Sequence, residues 1–327
     1  MNQIQHPEKT TECQGISEIA VYFPRWPGDF QGFLQCWRNF NEKSIEKLSS
    51  NVKVGNGINY DSLLSMNGIT PPRIYFGNEF CEHCIPHVRM LKNVLAAIKE
   101  FGFSLTLLTP PCNDKKLGEV EKLLKLLEEL APGSEVVGND WGVLEMIKCR
   151  YSKLKPVFGR LMNRFLRDPR ITPRYLCHDA PLEGLKVVQG SSLSIPAFQH
   201  ILKMYGIERV ELDYLYQGIG IDFPAIGFLP SVYLPFGFVA TGRICMFGNL
   251  NKPPESKFGI NDTCDKPCWE MEVMLEDANK QNDGGVYTYL QRGNTIFYTL
   301  NELILSKAIT WANKQQARIV YQPELPF

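Results

Sequence analysis

Short apolar runs alternate with helix-spaced stretches from one end of the chain to the other, and this alternation leaves few folds open. Ile16–Phe23 reads as a first strand, ended by the Pro/Gly break at residues 24–28. Further strands are predicted at Arg73–Gly77, Ser104–Thr109, Glu135–Gly138, Pro156–Phe158, Arg209–Leu212, Leu234–Thr241 and Arg318–Tyr321. Helices are predicted between them at Asp29–Asn39, Val88–Phe101, Leu117–Leu130, Trp141–Tyr151, Ile195–Tyr205 and Leu300–Asn313. In the second of these, Val88, Leu91, Val94, Leu95 and Ile98 share one face, and Gly102 stops the turn. Strand and helix in turn build parallel βα units, not a sandwich. Eight strands predict a TIM-barrel-like (β/α)8 barrel, irregular in places, with a cysteine-bearing loop after the seventh. One domain over residues 16–327 is expected, with a polar tail at 1–15 and a loop insertion at 41–70 rich in Asn, Ser and Gly.

In such a barrel the chemistry sits at the C-terminal ends of the strands. The residues there are Gly77–Cys84, Asn139–Asp140, Arg160, Asp213 and Arg243–Cys245. No G-x-G-x-x-G follows the first strand and no Walker A motif occurs, so nucleotide binding has no support. Lys plus Arg and Asp plus Glu both number 35, which gives no bulk charge signature for nucleic acid. No apolar run is long enough to span a membrane, and the polar start has no leader core. A soluble, cytoplasmic protein is expected.

Ten cysteines in such a chain favour metal or redox use over disulfides. Cys13, Cys36, Cys112 and Cys149 read as small buried hydrophobes. Cys264 and Cys268, by contrast, have three residues between them in the polar stretch NDTCDKPCWEME. Cys245 precedes them with 18 residues between, and Cys81 or Cys84 offers a fourth thiolate. Four thiolates suit Zn²⁺ or an iron–sulfur cluster, and spacing alone leaves both open. His83 and His87 flank the first cysteines and read as surface residues.

Asp140 stands where it could be a general base, a substrate anchor or the N-cap of the helix after it. Four arginines fall between Arg160 and Arg170. Arg160, just past a strand, is the candidate for an anionic substrate, whereas Arg164 and Arg167 fit a solvated helix face. Arg243 and Tyr22 also stand near strand ends.

Four ordered blocks together resemble a known family. They are YFGNEFC at 75–81, VVGNDWG at 136–142, PVFGRLMNRFLRDPR at 156–170, and LPFGFVATGRIC at 234–245 with Cys264 and Cys268 downstream. Over about residues 16–325 the chain resembles the collagenase-like peptidase family U-thirty-two. Within it, the UbiV-type branch of oxygen-independent ubiquinone-biosynthesis (hydroxylation) proteins is the most similar. The resemblance implies a TIM-barrel-like fold and a 4Fe–4S cluster held by Cys81, Cys245, Cys264 and Cys268, with Cys84 as an alternate ligand. It implies an enzyme or subunit for an oxygen-independent hydroxylation of a small molecule or an RNA base, often in a heterodimer with a second family member. Asp140, Arg160 and Arg243 are then the substrate-side candidates. The chain departs from the pattern in the longer interval before Cys264, in Asn78-Glu79 at the place of Gly-Glu, and in the 41–70 insertion. A non-catalytic, cluster-bearing partner subunit is the main alternative. Peptidase activity is less expected, because no protease nucleophile is recognisable.

Overall fold

A computed structural model of the chain describes residues 15–24, 73–171, 181–260, 263–275 and 288–327. In chain order the described strands are β1 (Glu18–Phe23), β2 (Arg73–Gly77), β3 (Ser104–Thr109), β4 (Glu135–Gly138), β5 (Lys155–Phe158), β6 (Arg209–Asp213), β7 (Leu229–Leu234), β8 (Phe236–Thr241), β9 (Val273–Leu275), β10 (Thr288–Arg292), β11 (Thr295–Thr299) and β12 (Arg318–Tyr321). The helices are α1 (Val88–Phe101), α2 (Asp114–Leu130), α3 (Trp141–Arg150), α4 (Leu182–Gln189), α5 (Pro196–Met204), α6 (Phe223–Ile226) and α7 (Glu302–Lys314). Strands β1 to β7 and β12 close into a barrel in the order β1-β12-β7-β6-β5-β4-β3-β2, and every pairing around it is parallel. The (β/α)8 expectation holds.

Period-two alternation decides which residues face each way. Ala20 and Tyr22 fill the barrel interior with Tyr75, Leu108, Val137, Val157, Tyr233 and Val320. Their neighbours Ile19, Val21 and Phe23 pack outward against the helices. Helix α1 buries Leu91, Val94, Leu95 and Ile98, each worth roughly 2 kcal/mol of transfer free energy. His87 caps its start, and Gly102, at φ 73°, closes its end in the left-handed region.

The N-terminal floor of the barrel is polar and neutralised internally. Arg318 bonds Glu135 at 2.6 Å, Glu18 at 2.5 Å and the Tyr75 hydroxyl at 2.8 Å. Burial alone would raise the Glu135 carboxyl. The hydrogen bonds and charge of Arg318, with Arg73 and Arg209 behind it, hold its pKa down at about 2.

The seventh barrel strand and the segment after it differ from the sequence reading. The seventh barrel strand is Leu229–Leu234, not Leu234–Thr241. The barrel ladder ends at Leu234, because Pro235 has no N–H to extend it. The chain continues as β8 into a second, antiparallel sheet of order β8-β11-β10-β9. That sheet brings Phe238 and Phe297 against Phe80, at centroid separations of 5.5 and 5.2 Å, over the barrel's C-terminal end. The predicted helix at 29–39, the 41–70 insertion and the tail to residue 14 lie outside the described residues. No helix among the described residues is long and apolar enough to cross a membrane.

Candidate functional site

Three separate segments bring cysteines to one cavity. The first is the turn after β2. Gly77 has φ +120°, and a Cβ there would stand 2.4 Å from the Leu108 carbonyl oxygen, so only glycine lets β2 end against β3. The Asn78 side chain then accepts from the N–H groups of Phe80 and Cys81, at 2.9 and 2.8 Å. This Asx turn fixes where Cys81 points. A single 3-10 turn at Glu82–Cys84 follows, closed by Cys84 N–H donating to Cys81 C=O at 3.0 Å.

The second segment leaves β8 and carries Cys245, whose sulfur accepts from Gly248 N–H at 3.3 Å. The third holds Cys264 and Cys268. Lys266 between them adopts the left-handed conformation at φ 57°, and its N–H donates to the Cys264 sulfur at 3.3 Å. Strain at a non-glycine residue of this kind is tolerated where surrounding contacts impose it. Arg292 of β10 pins the turn that follows, donating to the carbonyls of Cys268 at 2.7 Å and Trp269 at 3.2 Å.

Cys81, Cys84, Cys245, Cys264 and Cys268 all line a cavity of about 140 Å³, together with Phe80, Arg243 and Phe327. The volume is roughly ten times what one water needs. The sulfurs perturb one another. The Cys84 thiol donates toward Cys81 and Cys268, which lowers both, Cys81 to about 7. Burial, with neighbouring sulfur charge behind it, pushes Cys245 up to about 11 and Cys264 upward. Among the described residues no three or more His, Cys, Asp or Glu side chains are arranged to hold one metal ion.

A second cluster lies beside the cavity, across the Phe80 ring. Arg160 is fully buried and bonds Glu79 at 2.7 Å and Asp213 at 2.6 Å. Its guanidinium lies 3.8 Å from the Tyr233 ring centroid and 5.2 Å from that of Phe80. Arg167 pairs with the other oxygen of Asp213. Burial raises the Glu79 pKa against the pull of Arg160. The Tyr233 hydroxyl lies near enough to favour the charged carboxylate, yet neither it nor Glu79 Oε1 reaches hydrogen-bond geometry with any group.

The other sequence candidates separate cleanly. Asp140 caps α3, accepting from Gly142 N–H at 2.7 Å, and its second oxygen accepts from Cys112 N–H at 3.2 Å. Arg243 stands half-exposed at the rim of the cavity, bonded to buried Glu82 at 3.0 Å. Tyr22 is buried in the barrel and donates to the Gly77 carbonyl at 3.2 Å. His83 lines the cavity, and His87 serves as the α1 cap. Arg164 is exposed as expected, but Arg167 is buried. Residues 160–171 form no α-helix, and Arg167 turns inward to Asp213. Cys112 is partly buried, whereas Cys149 is exposed on α3 and not a core residue. Cys13 and Cys36 lie outside the described residues. Sequence reasoning passed over Arg292 and Tyr233, and no local pattern marks either.

No protein-family model matches the chain, and no curated protein matches it. Among solved structures the chain is similar to family GH18 chitinases from Cycas revoluta. One in complex with (GlcNAc)3 is 12% identical with a TM-score of 0.29, over 93% of this chain and 94% of that chain. One in complex with allosamidin is 12% identical with a TM-score of 0.27, over 85% of this chain and 81% of that chain.

Proposed function

We propose that this chain is an iron–sulfur protein that holds a 4Fe–4S cluster on Cys81, Cys245, Cys264 and Cys268, as an enzyme or enzyme subunit of an oxygen-independent hydroxylation or related redox step. The observation that carries the reading is the meeting of five cysteines, from three distant segments, around one cavity. The donor chemistry fits. Zinc held by four thiolates at about 2.3 Å would draw its sulfurs to within about 3.8 Å of one another, around a point. A cubane gives each thiolate its own iron, so its sulfurs surround a volume. Burial first, and neighbouring sulfur charge behind it, raise Cys245 and Cys264 in the metal-free chain, and a cationic centre offsets both. Backbone N–H groups directed at two of the sulfurs are of the kind that tunes a cluster's potential.

A cluster with four cysteine ligands supplies electron transfer, and substrate contact falls to the chain's own residues. Arg243 at the cavity rim is the substrate-side candidate. Arg160, fully buried and doubly paired, is a positioning residue, and Asp140 is engaged in capping. The substrate class is a small aromatic molecule or an RNA base.

Exposed apolar residues around the cysteine loops favour a partner subunit. Ile244, Met246, Leu250, Phe258, Ile260 and Met274 all face solvent. A second member of the same family is the proposed partner, in a heterodimer where this chain supplies the cluster.

Anaerobic purification with iron, sulfide and zinc analysis tests the reading. A brown protein with about four irons and four sulfides per chain is expected. Alanine at any of the four cysteines is expected to lower both. Colourless protein with one zinc, or full iron in all four variants, overturns it.

A further inference from the structure

The proposed ligand set leaves one sulfur at the cavity unused, that of Cys84. It is buried in one packed cluster with Cys81 and Cys268, and it lines the cavity with both. Cys84 sits on the turn after β2, and Cys268 on the 3-10 turn at Pro267–Trp269 that Arg292 pins from β10. Both backbones are therefore held where their side chains meet one cavity. A buried, inert thiol in an ordinary core has apolar neighbours. Cys84 instead shares its cluster with two further sulfurs and faces a cavity.

We infer that Cys84 is a resolving thiol: in the cluster-free chain, peroxide couples Cys84 to Cys268, and the disulfide bars cluster assembly until it is reduced. Its consequence for assembly rests on the ligand reading above. The Cys268 thiolate attacks one peroxide oxygen, so an S–O bond forms and the O–O bond breaks. Hydroxide leaves and takes a proton to become water. The Cys84 sulfur then attacks the sulfenic sulfur, the S–S bond forms, the S–O bond breaks, and a second water leaves. Two thiols give up two electrons and one peroxide becomes two waters. Coupling to Cys268 ties the barrel loop to the antiparallel sheet, whereas coupling to Cys81 would close only one turn. The bond protects Cys268 from irreversible oxidation at a site that is exposed to oxidant whenever the cluster is lost.

The test uses the full-length, cluster-free, reduced chain. Equimolar hydrogen peroxide is added, free thiols are alkylated, and disulfides are mapped by non-reducing proteolysis and mass spectrometry. Iron uptake is measured in parallel with ferrous iron and sulfide. Peptides joining Cys84 to Cys268 are expected to dominate. Uptake is expected to fall at least about tenfold and to return with dithiothreitol, in proportion to the disulfide present. Cys84→Ser and Cys84→Ala are expected to load iron when untreated, but to accumulate Cys268 sulfinic acid when a second equivalent of peroxide follows the first, and not to recover. A dominant disulfide without Cys84, a Cys81–Cys84 bond in its place, or uptake unchanged by the bond overturns the inference. If the untreated chain takes up no iron, the cluster reading fails, and the disulfide map still decides the pairing.

Discussion

Arg160 lies 2.7 Å from Glu79 Oε2, and neither side chain has any exposed surface. Two residues beyond Glu79 along the chain, Cys81 lines the sulfur cavity. The barrel's buried charge and the proposed cluster site are thus joined through a single short turn. Removing one partner of a buried pair leaves the other charge uncompensated, at about 3–5 kcal/mol. Arg160→Met is therefore expected to lose about that much stability in urea denaturation, and to lower iron loading through the displaced turn. Arg243→Ala, at a pair half-open to water, is expected to cost less than about 1 kcal/mol. Equal losses in the two variants would contradict the burial of the Arg160 pair.

Asp140 presents the opposite case, a carboxylate at a strand end that is fully engaged with backbone. It accepts from Gly142 and Cys112 N–H groups. Asp140→Ala is expected to cost about 1 kcal/mol as a lost cap, with iron content unchanged. Asp140→Asn is expected to restore most of the stability. Loss of turnover in Asp140→Asn at full stability would return this residue to the chemistry.

Much of this fold was readable before any coordinates, and the failures have local causes. Arg73–Gly77 and Ser104–Thr109 are strands at their predicted bounds, because both are dense apolar runs between strong breakers. Strand β7 was displaced because Leu229–Leu234 contains Pro230 and Ser231, while the neighbouring run through Phe236 and Phe238 is more apolar. The β10–β11 hairpin was passed over although Gly293-Asn294, with Gly293 at φ 58°, is a two-residue turn signature. The cysteines stood out by spacing and polar context. The Glu79–Arg160–Asp213–Arg167 cluster did not, since its pairs span 46 to 81 residues and no periodicity encodes them. Arg167 was misplaced because a basic run looks like a solvated helix until the helix is seen to be absent.

Two glutamates in the barrel respond to pH in opposite directions. Glu135 has a folded pKa of about 2 against an ordinary 4.5, a difference on the order of 3 kcal/mol. Its contribution is complete at neutral pH and is lost as pH falls from about 5 to 2. Glu211 is raised from 4.5 to about 7, first by burial, and one of its oxygens has no partner. Its contribution is the reverse: stability falls as pH rises through 4.5 to 7, because the folded chain resists losing that proton. Glu211→Gln is expected to match the natural chain at pH 4 and to be more stable at pH 8, by up to about 3 kcal/mol. Glu135→Gln is expected to be less stable at pH 7, the gap closing toward pH 2. Parallel stability–pH curves for all three chains would rule out both assignments.

The turn that aims Cys81 depends on Gly77, and this can be separated from the general cost of replacing a glycine. At Gly77, with φ +120°, an added Cβ would meet the Leu108 carbonyl oxygen at 2.4 Å, a backbone atom held in the β2–β3 ladder. Neither side can yield without breaking barrel hydrogen bonds. Gly133 also has positive φ, at +85°, but an added Cβ there meets nothing within 4 Å. Gly133→Ala is therefore expected to cost only left-handed strain, about 1–2 kcal/mol, and to leave iron loading intact. Gly77→Ala carries that strain plus the overlap, so a loss above about 3 kcal/mol is expected. Asn78 follows directly, and its side chain orders the Phe80 and Cys81 amides. Iron bound per folded molecule is thus expected to fall in Gly77→Ala and not in Gly133→Ala, measured on the soluble fraction of each. Full loading of folded Gly77→Ala would mean that Cys81 reaches its place without this turn.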